Sequence, residues 1–142
     1  MYSTKYAVSI HILALIALKK EPSITSEYIA RSVNTNPALV RRLMSDLKKA
    51  GMIETQTKIG VTGLLKPAKE ISLFDIFKAV ESRQDLFLIH KDTNQDCPVG
   101  AKIGKVLLNI NQALQDDFER ELKSRYLSDI MNDLLLELDK WI

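Results

Sequence analysis

In the stretch NPALVRRLMSDLKKAGMIET, Asn36 to Thr55, three side chains able to bind anions recur at helical spacing: Arg41, Ser45 and Lys48. At about 100° per residue they collect on one pole of a helix, with Ala38 behind them. Leu39, Leu43, Leu47 and Ala50 collect on the other pole, Val40 lies to one side, and Arg42 and Lys49 share a flank. Two long cations and a hydroxyl near a helix N-terminus suit insertion into a DNA major groove, and small Ala38 permits close approach to the bases. A solvated polar face would give the same stripe. The neighbouring elements must decide between the two.

Downstream, Thr57, Lys58 and Thr62 surround Gly60 and Gly63. Hydroxyls and a lysine around glycines supply donors for phosphate and let backbone approach it closely. Cys97 precedes Pro98 at an expected helix start, where backbone N–H groups favour a thiolate, although Asp96 beside it opposes ionisation. Two readings of Cys97 stand: a redox sensor, or a thiol with no role. His11 and His90 have no companion ligands, so no metal site is expected. Asp116, Asp117, Glu119 and Glu121 fit a solvated helix face. No nucleophile–base pair and no phosphate loop is present, which argues against an enzyme.

The elements that would hold these residues are mostly helices. Ser3 to Lys20 is apolar nearly all round, as in a helix buried among others, and Glu21-Pro22 stops it. Thr25 caps a short helix, Ser26 to Val33, with Ile29 and Ala30 facing inward. Asn34-Thr35 makes a tight connection to Asn36 and Pro37, an N-cap residue followed by proline at the first helical position. Gly51 stands where a left-handed cap ends that helix. Ile53 to Thr57 is β-prone, Gly60 and Gly63 are expected to bracket a turn, and Leu64-Leu65 follows, giving a small hairpin. Ser72 caps a further helix through Val80, with Asp75 in its first turn. A short helix, a tight turn and a second helix form a helix-turn-helix, and the hairpin is its wing. The basic pole then faces DNA.

The whole chain fits this reading. Its 142 residues, 46% hydrophobic and 27% charged, allow one domain with an appendage. The net charge of +2 hides an asymmetry: residues 1–70 carry 11 Lys+Arg against 5 Asp+Glu, and residues 71–142 carry 9 against 13. A basic half beside an acidic half suggests an anion-binding module joined to something else. The most apolar segment, Tyr6 to Leu18, is shorter than the ~20 residues of a membrane span and lacks signal-peptide flanks. A single cysteine excludes an intrachain disulfide and fits a reducing compartment, so the cytoplasm is expected. The fold class is mainly α with a small β-hairpin. Residues 1–82 form a winged helix-turn-helix domain, and residues 83–142 a linker and C-terminal helical dimerisation region. There Ile103, Leu107, Ile110, Leu114 and Phe118 mark one helical stripe. Leu127, Met131, Leu134, Leu138 and Trp141 follow at coiled-coil-like spacing, for packing on the same chain or on a partner.

The chain resembles the Rrf-type winged-helix regulators of bacteria, the family of IscR and NsrR. The matching pieces are STKYAVSIHILALIAL, TSEYIARSVNTNPALVRRLMSDLKKAGMIET, GVTG, KPAKEISLFDIFKAVE and CPVG, in order across residues 1–107. The resemblance implies a homodimeric transcription factor, usually a repressor, that binds double-stranded DNA at an imperfect palindrome and dimerises through the long C-terminal helix. It carries DNA contact onto Tyr6, which could equally be core packing, onto Pro37 to Lys48, and onto Thr57 to Gly63. Two departures stand out. The wing is shorter and poorer in glycine than in many relatives. Cluster-binding members carry three cysteines where His90 to Gly104 holds only Cys97. Iron–sulfur clusters need about four soft ligands, so no cluster is expected. The signal is then an unknown small-molecule effector held between the winged helix and the C-terminal helices, or oxidation of Cys97. A winged-helix module binding an acidic protein partner is the main alternative to DNA.

Overall fold

The first apolar run folds as α1 (Lys5–Leu18), two residues shorter at each end than the sequence pattern suggested, because Lys19 is already extended. It gives Ile12, Leu13 and Ile16 to the core. Next come α2 (Ser26–Val33), α3 (Pro37–Lys49), the strands β1 (Ile53–Gln56) and β2 (Gly60–Leu64), and α4 (Leu73–Val80). The long α5 (Pro98–Lys123) and α6 (Leu127–Asp139) complete the chain. This computed structural model describes residues 3–140.

The caps fall where their chemistry requires. Thr25 Oγ1 accepts from the Tyr28 N–H, and Ser72 and Asp75 exchange hydrogen bonds as a capping box. The core gathers Ile29 and Ala30 of α2, Val40, Leu43 and Leu47 of α3, Ile53 and Val61 of the hairpin, and Ile76 and Val80 of α4. Burying each large aliphatic side chain contributes about 1.5–3 kcal/mol. Leu39 packs at the edge of this core. Ala50, expected on the same pole, is exposed, because the helix has ended and Gly51 turns the chain at φ +76.

The hairpin corrects the expected turn. Gly60 and Gly63 do not bracket it; both lie in β2, and Thr57 to Ile59 make the reversal, with Lys58 in the left-handed region at φ +69. Glu54 pairs with Gly63 and Thr55 with Val61, which leaves Thr62 as the extra residue of a bulge. A third segment braces the wing, since Ile24 and Val61 exchange backbone hydrogen bonds of 3.1 and 2.9 Å.

The C-terminal region divides in two. No described residue of α5 is buried, and the helix meets the rest of the chain mainly through α4. Phe118 lies edge-on to Phe77 at 5.5 Å, and Gln115 bonds the Gln84 carbonyl and the Leu86 N–H. α6 instead packs back on α1 and on the short turn at residues 68–70. Leu127 is fully buried, its N–H donates to the Ile71 carbonyl, and the Leu73 N–H donates to the Arg125 carbonyl. The expected C-terminal seam is therefore split. Leu127 and Met131 pack on the same chain's core, Leu134 and Leu138 are exposed, and Trp141 lies outside the described residues.

Candidate nucleic-acid interface

Two short-range hydrogen bonds set the start of α3. Asn34, left-handed at φ +59, lets α2 end by donating its N–H to the Ala30 carbonyl. Two residues later Asn36 Oδ1 accepts the Ala38 N–H at 2.8 Å, with Pro37 in the first helical position. Asn36 thus has a structural role as cap, and Pro37 and Ala38 form an exposed first turn.

From that turn, Arg41, Ser45 and Lys48 project into a groove of about 340 Å³ between α3 and the hairpin. Ser26 of α2, Met44 of α3, Thr55 of β1 and Gly60 of β2 complete its lining. Two cations and no carboxylate line the groove, so it suits a polyanion. Arg42 is exposed outside that lining. Ser26, Met44 and Thr55 were not singled out in the sequence. Met44 was legible in part: residues 41, 44, 45 and 48 follow the i, i+3, i+4, i+7 pattern of one helix face. A half-buried methionine in that pattern reads as core, and it does also pack against the core.

The wing places its residues differently from one another. Thr57 and Lys58 are exposed at the tip. Thr62 donates its hydroxyl to the Glu54 carbonyl, so that proton is used inside the hairpin. Gly60, at φ +109, lies so close to the Ile24 carbonyl that any side chain would overlap it. Its role is packing first, with groove lining second. Gly63 has open space where a Cβ would be. Tyr6 takes no part in the groove. Its half-buried ring lies edge-on to Phe77 at 6.4 Å, and burial raises the phenol pKa against the opposing charge of Arg125.

Cys97 is exposed at the N-cap of α5, and the backbone N–H groups of Gly100 and Val99 hold its thiol below the usual range. Among the described residues, no three His, Cys, Asp or Glu side chains are placed to share a metal ion. On α5, Asp116, Asp117 and Glu121 are solvated as expected, whereas Glu119 is half-buried and accepts from Gln115 at 2.8 Å. No helix among the described residues is long and apolar enough to cross a membrane.

The chain as a whole is similar to known proteins. A family profile described as Rrf2, iron-dependent transcriptional regulator, matches residues 2–133. YwnA of Bacillus subtilis (strain 168), named as an HTH-type transcriptional regulator, is 42% identical over 134 residues, 94% of this chain and 99% of that protein. A solved structure described as a DNA-binding protein is 38% identical, with a TM-score of 0.72 over 89% of this chain and 98% of that one. IscR of T. potens shares the fold at 19% identity, with a TM-score of 0.69 over 94% of this chain and 88% of that one.

The iron in the family description can be tested against the donor set. Cys97 is the chain's one cysteine, and His90 and His11 are not grouped with it as a metal site among the described residues. A thiolate-ligated cluster needs about four soft donors, predominantly cysteine, and this chain supplies a single thiol. These residues do not fit such a group.

Proposed function

The chain belongs to the Rrf2 family of transcriptional regulators, and from that premise we propose that it works as a homodimeric repressor reading an imperfect DNA palindrome. It is a regulator rather than an enzyme. The observation that carries the DNA reading is the groove in which Arg41, Ser45 and Lys48 of α3 face Thr55 and Gly60 of the wing. In this reading α3 enters the major groove, Arg41 bonds a base edge, Ser45 and Lys48 bond a base or phosphate, and Ala38 lets the helix approach. Asn36 and Pro37 support that approach by fixing the helix N-terminus, while Arg42, Thr57 and Lys58 meet the flanking phosphates.

The apolar surface of α5 supports the dimer. The helix is about 39 Å long at 1.5 Å per residue, and no described residue of it is buried. Val106, Leu107, Ile110 and Leu114 are exposed although apolar, Ile110 by 51%. A second copy of α5 would cover them, and two recognition helices held about one DNA turn apart would read the two half-sites. Selection of bound sequences from a random DNA pool tests the reading. A palindrome with half-sites about 10 base pairs apart is expected, bound with a steep loss of affinity as salt rises. No enriched sequence, or enrichment without two-fold symmetry, would contradict it.

The same reading is cluster-free, since the donor count does not fit iron–sulfur chemistry. Cys97 favours one second reading, a thiol-based signal, because it is exposed and its pKa is lowered by the start of α5. A change in DNA affinity with mild peroxide, lost in Cys97→Ser, would support it.

A further inference from the structure

We infer that Phe118 of α5 is a positioning residue: by leaning on Phe77 it fixes the tilt of α5, and with it the spacing of the two DNA half-sites. This rests on the dimeric DNA-binding reading above and adds to it the residues that select a spacing. α5 is attached to the winged helix-turn-helix domain like a lever. Its C-terminal end is the pivot, because the Leu73 N–H donates to the Arg125 carbonyl and the Leu127 N–H to the Ile71 carbonyl, both at 2.8 Å. Those two bonds clamp the turn at residues 124–126 onto the start of α4. They fix where the helix ends, but not the direction in which its 26 residues run from that end.

The direction is set by a few contacts close to the pivot. Phe118 lies edge-on to Phe77 at 5.5 Å, and Phe77 meets Tyr6 edge-on at 6.4 Å, so the stack runs from α5 through α4 to the first turn of α1. Perpendicular rings set the positive edge of one against the negative face of the next, which gives the contact a preferred angle that aliphatic packing lacks. Glu81 Oε1 accepts the Tyr6 N–H at 3.2 Å and ties down the far end of the stack. Two further contacts flank it. Lys123 Nζ stands 4.6 Å over the Phe74 ring, and Gln115 accepts the Leu86 N–H and donates to the Gln84 carbonyl.

Phe118 shares its helical stripe with Leu107, Ile110 and Leu114; the stripe packs on the same chain at Phe118 and is exposed beyond it. Phe118 is six residues from Ser124 and Leu107 is seventeen, about 9 Å and 26 Å from the pivot at 1.5 Å per residue. A shift of about 1 Å at the stack therefore becomes about 3 Å at the dimer contact. That is close to the ~3.4 Å rise of one base pair, and the two-fold axis applies it to both subunits. A single module reading its own half-site through α3 does not sense the tilt. Only the pair does.

The test uses operators with identical half-sites, taken from the sequence the parent selects, and changes their separation one base pair at a time. The parent should lose about tenfold in affinity for each base pair added or removed, because a fixed tilt lets one separation engage both modules. Phe118→Ala should sediment as a dimer and bind a single half-site like the parent. It should also bind operators one base pair longer or shorter within about threefold of its best. Phe118→Leu, which keeps apolar bulk without a ring, should behave in the same way, and Phe118→Tyr, which keeps the ring edge, should restore the parent's preference. Gln115→Ala, which leaves the stack alone, should broaden the choice to a smaller degree. Variants that keep the parent's spacing preference, losing affinity equally at every separation, overturn the assignment of Phe118 and leave the DNA reading intact. So does a monomeric Phe118→Leu, which would place the ring in the contact between subunits. Failure of the parent to enrich a two-fold symmetric sequence overturns the dimeric reading and the assignment with it.

Discussion

Gly60 and Ile24 are in such close backbone contact that the wing tolerates no side chain at position 60. The residue also holds φ +109, a conformation that costs any L-residue. Gly60→Ala should therefore destabilise the protein by about 2–4 kcal/mol in thermal or urea unfolding, combining backbone strain with overpacking. Gly63→Ala meets open space and has no positive φ, so it should stay within about 1 kcal/mol of the parent. Equal stability of the two variants would show that the Ile24 contact does not fix the wing.

On the recognition helix, the two poles of α3 should separate in mutagenesis. Arg41→Ala should cost about 1–3 kcal/mol of specific binding and relax preference at one position per half-site. Lys48→Ala should weaken binding more evenly across sequences and reduce the salt dependence, as loss of a phosphate contact does. Leu43→Ala, which empties a fully buried site, should instead lower stability by about 2–5 kcal/mol. Unchanged affinity for both surface variants would show that another face meets DNA.

What the sequence made legible was local. Thr25, Asn36, Gly51 and Ser72 act through hydrogen bonds or φ angles set within four residues, and their helices stand nearly where the pattern put them. The charged pole of α3 was legible because helical periodicity alone separates Arg41, Ser45 and Lys48 from Leu43 and Leu47. The hairpin misled because glycine has two uses. Gly60 looked like a turn residue, whereas its conformation serves the contact with Ile24, and Lys58 takes up the left-handed turn position. The bulge at Thr62 is a property of pairing, and no spacing announces it. Leu127 fell in a plausible coiled-coil register, but its burial depends on Ile71 and Leu73, more than fifty residues earlier in the chain. Ser26 and Thr55 entered the groove by the same long-range route.

The exposed face of α5 gives a clean test of the dimer, because changing it touches none of the core. Ile110→Asp and Leu107→Asp should each yield a folded monomer by sedimentation at micromolar concentration, with the parent's helical signal. Each should also lose most affinity for the full palindrome, since one module forfeits the second half-site. Truncation near Ser82 is less informative, because it also removes Leu127 from the core. A parent protein that sediments as a monomer would end the dimer reading.

Inside α1, Ser9 Oγ is buried with no hydrogen-bond partner among the described residues. Hydroxyl desolvation without compensation is unfavourable, so Ser9→Ala should raise stability by about 1 kcal/mol. Ser9→Val adds volume to a packed site and should not. A loss of stability in Ser9→Ala would indicate that the hydroxyl is bonded in solution.

Cys97 allows the family's iron chemistry and a thiol signal to be separated in one set of measurements. The N–H groups of Gly100 and Val99 stabilise the thiolate, so the folded protein's thiol pKa lies below that of a free cysteine. The sign follows: alkylation of the native protein should reach its plateau at lower pH than alkylation of the urea-unfolded chain, which titrates like an ordinary thiol. That result alone does not make Cys97 a sensor, since an exposed thiolate can be inert in the cell. Sensing requires that peroxide change DNA affinity in the parent and leave Cys97→Ser unaffected. An intersubunit disulfide between two copies further requires their Cα atoms to approach within about 7 Å, which non-reducing electrophoresis would report as a covalent dimer. With one cysteine per chain, protein purified without oxygen should be colourless and iron-free, and it should bind DNA equally with or without reductant. Stoichiometric iron with a visible absorbance band would overturn the donor count, and a peroxide response abolished by Cys97→Ser would make the thiol the signal input.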